Sequence, residues 1–335
     1  MTTWFNETLY KGFRQSHEVK KVLFEGRSKY QNVGVFESGR FGRVLALDGV
    51  VQCTEGDEFV YHEMLTHLPI LAHGKVESVL IIGGGDGGIL EEVLKHKSVK
   101  RATMVEIDGE VIEVARKYLP KICGKAFSDK RTNLIVGDGA AYVAETRNRY
   151  DLVIVDRPDP VGPATVLFSE GFYRNCRRVM KPNAILVAQN GVPHMQGPEL
   201  TEAIKLFQKI WADSGSYLAV VPTYVCGFMS MTWACDRDIT DIDPRQVFAR
   251  FDRAKLPALR YYNPEIHFAA FALPNFVAGL IPAPKAAPKT TPKKSAKKTG
   301  RKPVAKKSPA KKKTAKAPAK AKKAAAPKKK AAKRR

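Results

Sequence analysis

Paired cysteines are missing from this chain of 335 residues. Its five cysteines are odd in number and scattered, and no two of them form a C-x-x-C pair. A disulfide framework or a zinc site would need paired or clustered cysteines. The histidines are likewise too dispersed to suggest a metal site. We therefore expect free thiols, a reducing compartment and no bound metal.

The chain also lacks a visible export signal and a membrane-spanning run. Its N-terminus, residues 1–11, has no charged start followed by an apolar core. The longest apolar stretch, residues 268–282, is interrupted by Pro274 and Asn275 and is too short to cross a bilayer. It is better interpreted as a buried helix or segment. We expect a cytoplasmic protein with no membrane partner.

Acidic and aromatic residues are missing from the last part of the chain. Residues 285–335 carry 23 of the 57 Lys and Arg residues, which leaves 34 elsewhere against 33 Asp and Glu. Nearly all of the net charge of +24 therefore belongs to this segment. Residues 281–335 consist mainly of Lys, Ala, Pro, Thr and Ser, cannot bury enough apolar surface to fold, and are predicted to be a disordered basic tail.

The tail has two interpretations. Runs of like charge often bind partners, and short Pro-Lys units at 291–294 and 308–311 suit electrostatic, sequence-independent binding of nucleic acid. This hypothesis adds nucleoid association to the cytoplasmic location. The alternative is a solvated tail that only keeps the protein soluble.

Two patterns of apolar residues organise the rest of the chain. Residues 19–60 alternate apolar and polar positions between turn signals, which predicts antiparallel strands joined by hairpins. From Val76 onward, apolar runs alternate with helical stretches, which predicts a parallel sheet with crossover helices. The runs are 79–82, 103–107, 133–136, 152–155 and 185–188. We divide the chain into a β-hairpin domain at 1–70, a catalytic domain at 71–280 and the tail at 281–335.

A glycine turn that contains a carboxylate follows the first of these runs. Gly83, Gly85 and Gly88 satisfy G-x-G-x-x-G, a spacing that lets the backbone approach a pyrophosphate at a helix N-terminus. Asp86 would repel such an anion by roughly 4 kcal/mol at a distance of about 4 Å. Asp86 therefore indicates a positively charged ligand, unless it only caps the following helix.

Two further acids end the next two runs. Glu106 lies 20 residues after Asp86, where an acid usually accepts hydrogen bonds from ribose hydroxyls. A surface acid or a helix cap is the alternative, and this role fits Asp108 better, ahead of a predicted helix at 109–118. Asp138, followed by Gly139, lies where an adenine amino group would need an acceptor, although it could equally be an ordinary turn aspartate.

The fourth run ends in a proline-rich loop with two carboxylates, Asp156 and Asp159. Ligands gather at the carboxyl ends of parallel strands, so both acids are expected to face the same mouth as Asp86. A solvated acidic turn would explain either acid alone. Together, the acids predict a nucleoside pocket beside an anionic cleft. A sulfonium nucleoside, such as an S-adenosylmethionine derivative, and a polyamine would satisfy both parts.

The sequence resembles the polyamine aminopropyltransferases, specifically the bacterial spermidine synthases, over roughly residues 4–280. The shared stretches are 42–52, 57–64, 81–88, 105–108, 156–164, 222–224 and 260–264. The resemblance implies an α/β, Rossmann-like (class I methyltransferase-like) fold with a mostly parallel sheet, a small N-terminal antiparallel β domain and assembly into a homodimer or homotetramer. It also implies aminopropyl transfer from decarboxylated S-adenosylmethionine to putrescine, giving spermidine and methylthioadenosine. Decarboxylated S-adenosylmethionine is then a co-substrate, and no cofactor is expected.

The same resemblance implies roles for individual residues. Asp156 matches the general base that deprotonates the attacking amine. The residues that match amine-binding positions are Tyr61, His62, Asp86, Asp156, Asp159 and Tyr224. Those that match nucleoside-binding positions are Gln31, Gly83, Gly85, Glu106, Asp138, Gly139 and Pro163.

One departure from the family pattern bears on specificity. Arg157 and Pro158 stand between the two aspartates, where the family usually has small residues. A guanidinium that faced the cleft would oppose cation binding, so we expect the Arg157 side chain to point away. Other acceptors (cadaverine, agmatine or spermidine) stay open, and so does a class I methyltransferase, which shares the sheet, the glycine loop and the ribose acid.

Overall fold

The computed structural model describes residues 2–157 and 162–283, without the side chains of 162–164. Two sheets organise these residues. Neighbouring strands of the first sheet follow chain order and pair antiparallel. They are β1 (Thr3–Glu7), β2 (Gln15–Arg27), β3 (Asn32–Ser38), β4 (Gly42–Leu47) and β5 (Val50–Thr54). This sheet confirms the predicted hairpins and adds β1, which precedes the alternating region.

The second sheet has seven strands in the order β11-β12-β10-β9-β6-β7-β8. They are β6 (Ser78–Gly83), β7 (Arg101–Glu106), β8 (Thr132–Val136), β9 (Tyr150–Asp156), β10 (Met180–Gln189), β11 (Asp213–Val220) and β12 (Phe228–Cys235). Strands β6 to β10 run parallel, which confirms the five predicted runs. The antiparallel pair β11 and β12 extends the sheet beyond β10 and was not predicted.

Helices connect these strands and cover the second sheet. They are α1 (Glu58–His73), α2 (Gly88–Lys95), α3 (Gly109–Tyr118), α4 (Pro120–Cys123), α5 (Gly139–Glu145), α6 (Glu170–Val179), α7 (Gly197–Ile210), α8 (Pro244–Ala254), α9 (Pro264–Ala269) and α10 (Asn275–Ala278), with 3-10 helices at Ala126–Ser128 and Gly162–Phe168. The apolar stretch at 268–282 contains the end of α9 and all of α10. Within the described residues, no helix is long and apolar enough to cross a membrane.

Helix α1 lies in the largest hydrophobic core and was not predicted. Every residue from Val60 to Ala72 is buried, including polar ones such as His62 and His67. A helix buried on all sides has no polar face, so its sequence carries no amphipathic period. The helix ends at Gly74, whose φ of 79° is the left-handed conformation that glycine adopts without strain.

The parallel strands bring the predicted acids to one edge of the second sheet. Gly83 at the end of β6 pairs with Asp156 at the end of β9, and Glu106 at the end of β7 pairs with Val136. The described residues belong to one compact unit. The domain boundaries at residues 70 and 280 stay predictions, and the tail from residue 284 onward lies outside the described residues.

Candidate active site

Asp156 lies where β9 meets the glycine loop. Gly83 has a φ of 85°, and a Cβ atom there would overlap the carbonyl oxygen of Asp156, so this position requires glycine. One carboxylate oxygen of Asp156 accepts a hydrogen bond from the hydroxyl of Tyr61. Burial, with the nearby charge of Asp86, raises the pKa of Asp156 to about 6. A carboxyl group with such a pKa can accept a proton near neutral pH.

Asp86, His62 and Glu58 form a buried row of alternating charge. His62 Nε2 lies 3.4 Å from Asp86 Oδ1, and His62 Nδ1 lies 2.7 Å from Glu58 Oε2. Burial alone would lower the pKa of His62, but Asp86 and Glu58 raise it well above its usual value. Burial alone would raise the pKa of Asp86, but His62 and the N–H of Gly88 bring it below its usual value. The row therefore holds a charged imidazolium between two carboxylates.

The position of Asp86 is compatible with both roles that its sequence context left open. Its Oδ1 accepts a 2.7 Å hydrogen bond from the backbone N–H of Gly88, the first residue of α2. The same residue lines a cavity together with Asp156 and Tyr61. Capping the helix start and facing a ligand are thus compatible for one carboxylate.

Two tyrosines and several polar residues form the wall of this cavity, which has a volume of about 110 Å³. The rings of Tyr61 and Tyr224 pack edge to face with centroids 5.6 Å apart. The Tyr224 hydroxyl donates a 2.7 Å hydrogen bond to the carbonyl of Gln52. Polar lining residues include Glu7, Gln52, Gln189 and Gln196. The cavity is therefore narrow and partly aromatic, with carboxylates in its wall.

Glu106 lies beside the glycine loop, at the end of β7. A Cβ atom at Gly85 would lie 3.2 Å from Glu106 Oε2, so the loop runs in close contact with this carboxylate. Burial is the main cause that raises the pKa of Glu106 to about 7, although the N–H of Asp108 donates to it at 2.8 Å. A half-buried acid with few partners is suited to accept ligand hydroxyls.

Asp108 caps α3, as predicted, and also connects the two sheets. Its Oδ1 accepts from the N–H of Glu110 at 3.1 Å. Its Oδ2 accepts from the Gln31 side chain at 2.9 Å and from the Ser28 hydroxyl at 2.7 Å. Gln31 is therefore positioned next to the strand end that carries Glu106, through a residue that the sequence suggested only as a cap.

The remaining predicted positions differ in how much the structure describes. Asp138 is exposed, and its Oδ1 accepts from the N–H groups of Ala140 and Ala141 at 2.7 and 3.3 Å, so it caps α5. Gly139 is buried behind it. Pro163 lies in the 3-10 helix Gly162–Phe168, with its side chain outside the description, and Asp159 lies outside the described residues.

Arg157 points away from the carboxylates, as expected. It is 2% exposed, and its guanidinium donates to the carbonyls of Gln189 at 3.2 Å and Leu167 at 2.8 Å, and to the Tyr173 hydroxyl. The centroid of the Phe168 ring lies 3.5 Å from the guanidinium carbon of Arg157. The residue still contributes to the cavity wall. The hydrogen bonds of the Arg157 guanidinium thus connect the end of β10 with the 3-10 helix Gly162–Phe168.

Sequence reasoning missed two acids of this region. Glu7 is 3% exposed, lines the cavity from β1 and accepts a 2.9 Å hydrogen bond from the N–H of Val51. It precedes the region of clear patterning, so nothing in its context marked it. Glu58 lies four residues before His62, and that helical spacing was a usable signal once α1 was recognised.

Two family models match the chain. One, described as the spermine/spermidine synthase domain, matches residues 58–244, and the other, described as the spermidine synthase tetramerisation domain, matches residues 3–55. A polyamine aminopropyltransferase of Ruegeria sp. (strain TM1040) is 49% identical over 280 residues, which cover 83% of this chain and 98% of that relative. Polyamine aminopropyltransferase 1 of Pseudomonas aeruginosa is 49% identical over 273 residues, with 82% and 96% covered.

Solved structures agree with these matches. The chain is similar to a spermidine synthase in complex with the transition-state analogue AdoDATO, with a TM-score of 0.78, 39% identity, and 83% of this chain and 94% of that chain covered. It is also similar to spermidine synthase from Thermotoga maritima, with a TM-score of 0.75, 37% identity and the same coverage of both chains. With both sheets covered by family models and with relatives matched almost from end to end, the chain belongs to the spermine/spermidine synthase family.

Proposed function

We propose that this protein transfers an aminopropyl group from decarboxylated S-adenosylmethionine to putrescine, giving spermidine and methylthioadenosine. The observation that carries the proposal is Asp156, a half-buried carboxyl group with a pKa of about 6 at the junction between the Glu106 side and the Asp86 side of the site. The names of the relatives, polyamine aminopropyltransferase, support the same reaction.

We assign the nucleoside of the donor to the Glu106 side of the site. Glu106 accepts the ribose hydroxyls, and Gln31, held by Asp108, contacts the nucleoside from the first sheet. The glycine loop allows close approach because Gly83 and Gly85 lack side chains. The full set assigned to the nucleoside is Gln31, Gly83, Gly85, Glu106, Asp138, Gly139 and Pro163.

We assign the amines to the cavity on the Asp86 side. Asp86 contacts the ammonium of the aminopropyl group, and the adjacent His62 fixes the orientation of that carboxylate. Ordinary S-adenosylmethionine carries a carboxylate next to this amine and would be repelled. The amine-binding set is Tyr61, His62, Asp86, Asp156, Asp159 and Tyr224, and Glu7 is added as a contact for the second ammonium of the acceptor.

Asp156 acts as the general base. An alkylammonium titrates near pH 10, so the acceptor amine attacks only after a proton is removed. Asp156 takes that proton, the amine nitrogen forms a bond to the carbon attached to sulfur, and the carbon–sulfur bond breaks with its electron pair going to sulfur. The sulfonium becomes the neutral thioether of methylthioadenosine. The carboxylates offset repulsion between the two cations, and the narrow cavity aligns the nitrogen, carbon and sulfur atoms.

A product assay tests the reaction class. With decarboxylated S-adenosylmethionine and putrescine, we expect methylthioadenosine and spermidine in equal amounts. S-adenosylhomocysteine formed from S-adenosylmethionine would instead support the class I methyltransferase alternative. The same assay with cadaverine, agmatine and spermidine as acceptors decides the amine specificity.

We propose that the first sheet mediates assembly into a homodimer or homotetramer. The match to a tetramerisation domain at residues 3–55 supports this assembly. Large apolar side chains on that sheet are exposed, with Trp4 at 53% and Val22 at 49%. Light scattering coupled to size exclusion measures the mass, and a monomer at micromolar concentration would contradict the proposal.

We also propose that the basic tail binds nucleic acid without sequence preference and that the protein works in the cytoplasm, in part on the nucleoid. The support is the segment of 23 cations without an acid. Truncation after Pro284 is expected to retain transfer activity and to weaken salt-sensitive binding of duplex DNA. If the full chain fails to bind at low salt, the tail serves only solubility. Cell fractionation tests the location.

A further inference from the structure

The amino-terminal edge of the parallel sheet carries cations that the proposed reaction does not use. This edge includes the turn between α1 and β6, the turn between α2 and β7, and the end of α8 packed against them. A cavity of about 190 Å³ opens there, and no Asp or Glu occurs among its lining residues within the described chain. Its charged lining consists of Lys97, Arg250, Arg253 and Lys255, which we call the basic pocket.

One of the four cations has a structural role. Arg250 donates to the carbonyls of Leu71 and Ala72 at 2.7 and 2.9 Å, and so satisfies the C-terminus of α1. Outside the pocket, Arg237 donates to the same carbonyl of Ala72 at 3.0 Å. These bonds explain why arginine is present near a helix end, where cations also complement the helix dipole.

The other three cations have no such role. Lys97, Arg253 and Lys255 are exposed, and across residues 2–157 and 162–283 their side chains form no hydrogen bond or ion pair. Asp252 precedes Arg253 in sequence and does not line the pocket. Burial is the main cause that lowers the pKa of Arg250, and the charges of Arg237 and Arg253 add to it. The described lining of the pocket therefore contains cations and no carboxylate.

Lys255 occupies a position that favours glycine. It ends α8 with a φ of 47°, in the left-handed region where a side chain is strained. Strained positions are often retained where they serve a function. Here the strain places a fourth cation at the pocket.

The described chain ends at the same edge. The carbonyl of Pro282 accepts a 3.0 Å hydrogen bond from Gln208 in the last turn of α7, and α7 leads into the start of β11. Asp213, the first residue of β11, pairs with Cys235, the last residue of β12. Because β12 runs antiparallel to β10, this pair lies at the edge of the sheet where β10 begins. The segment with 23 cations follows in sequence from this point.

We propose that the basic pocket binds the phosphate backbone of nucleic acid and that it does so at the edge opposite the active site. A polyanion can contact the exposed side chains of Lys97, Arg253 and Lys255 together. Because the pocket and the active site lie at opposite edges, bound nucleic acid leaves substrate access open. This inference does not rest on aminopropyl transfer.

The test uses the full chain and a chain truncated after Pro284. The match to the Ruegeria relative spans 280 residues of this chain, close to the length of the truncated chain, and covers 98% of that relative. Binding of labelled random-sequence duplex DNA is measured by fluorescence anisotropy across a salt series. For Lys97→Glu/Arg253→Glu/Lys255→Glu, we expect the slope of log affinity against log salt to become shallower by roughly 2 to 3 in both chains.

A matched control separates a local site from overall charge. Lys11, Lys117 and Lys125 are exposed lysines that do not line the pocket, and Lys11→Glu/Lys117→Glu/Lys125→Glu changes the net charge by the same amount. This control is expected to retain most of the slope. An equal loss in both triple variants, or no binding by the truncated parent at low salt, would overturn the proposal. Inorganic phosphate is added as a competitor, and full competition at millimolar concentration would show a small-anion site instead.

A single variant guards against loss of folding. Lys255→Gly relieves the left-handed strain, so we expect a Tm at or above that of the parent. The same variant is expected to make the salt slope shallower by roughly 1. A lower Tm or an unchanged slope would contradict the role assigned to Lys255.

Discussion

The two edges of the parallel sheet differ in the sign and in the burial of their charges. At the carboxyl edge, Asp86, Glu106 and Asp156 are mostly buried, and burial raises the pKa of Asp156 to about 6 and that of Glu106 to about 7. At the amino edge, Lys97, Arg253 and Lys255 are exposed to water. Buried charges can exchange protons near neutral pH, whereas exposed lysines and arginines act only as fixed charges. The comparison separates a proposed reaction site from a proposed attachment site.

Among the predicted effects, the largest is the loss of activity on removal of the general base, Asp156, at the carboxyl edge. Asp156→Asn keeps the shape of the side chain but cannot take a proton, so we expect kcat to fall by about 10³-fold. Calorimetry should show binding of decarboxylated S-adenosylmethionine within a few-fold of the parent. Near-normal turnover would exclude Asp156 as the base.

Neutralising Asp86 tests whether the carboxyl edge selects its donor by charge. Losing a hydrogen bond between charged groups costs about 1.5–3 kcal/mol, so Asp86→Asn should raise the KM for the decarboxylated donor by roughly 10- to 100-fold. Preference over S-adenosylmethionine, measured by methylthioadenosine release, should shrink in parallel. An unchanged preference would show that Asp86 acts only as a helix cap.

The pH profile distinguishes the two edges in one experiment. Both Asp156 and Glu106 must be ionised to act, so kcat/KM should rise with pH through about 6 to 7. In Glu106→Gln, the rise in kcat/KM near pH 7 should disappear and the rise near pH 6, which we assign to Asp156, should remain. The triple variant of the basic pocket should retain the parent profile and a kcat within about twofold. A shifted profile in that triple variant would mean that the two edges are electrostatically coupled.

The smallest expected effect is on stability. Because the folded pKa of Asp156 is raised from 3.8 to about 6, the folded protein holds this proton more tightly than the unfolded chain does. The residue therefore contributes less to stability as pH rises from about 4 to 6, and the loss amounts to roughly 1–3 kcal/mol above that window. Asp156→Asn should have a higher Tm than the parent at pH 8, and the difference should disappear near pH 4. A lower Tm at pH 8 would contradict this assignment.

Much of the fold and of the carboxyl edge could be predicted because each feature is local in sequence. The five parallel strands are continuous apolar runs, and Asp86, Glu106 and Asp156 each follow one of them. Helix α1 could not be predicted, because residues buried on all sides leave no period. The antiparallel pair β11 and β12 was also missed.

Sequence patterns could not predict contacts between segments that are distant in the chain. Glu7 and Tyr224 meet in one cavity although more than two hundred residues separate them. The basic pocket combines two turns with the end of a much later helix. Only packing decides such neighbours, because side chains far apart in the chain carry no mutual spacing rule.

The sequence by itself determined which chemical groups stand at the ends of the parallel strands, since a strand followed by a turn places its next residues at one edge. It also determined that the net charge is concentrated after residue 284. The tertiary structure decided which groups are buried together. Burial and the nearby Asp86 raise the pKa of Asp156 toward neutrality. Proximity to Asp86 and Glu58 keeps His62 charged although its burial acts in the opposite direction. Hydrogen bonds to groups distant in sequence turn the Arg157 guanidinium away from the cleft.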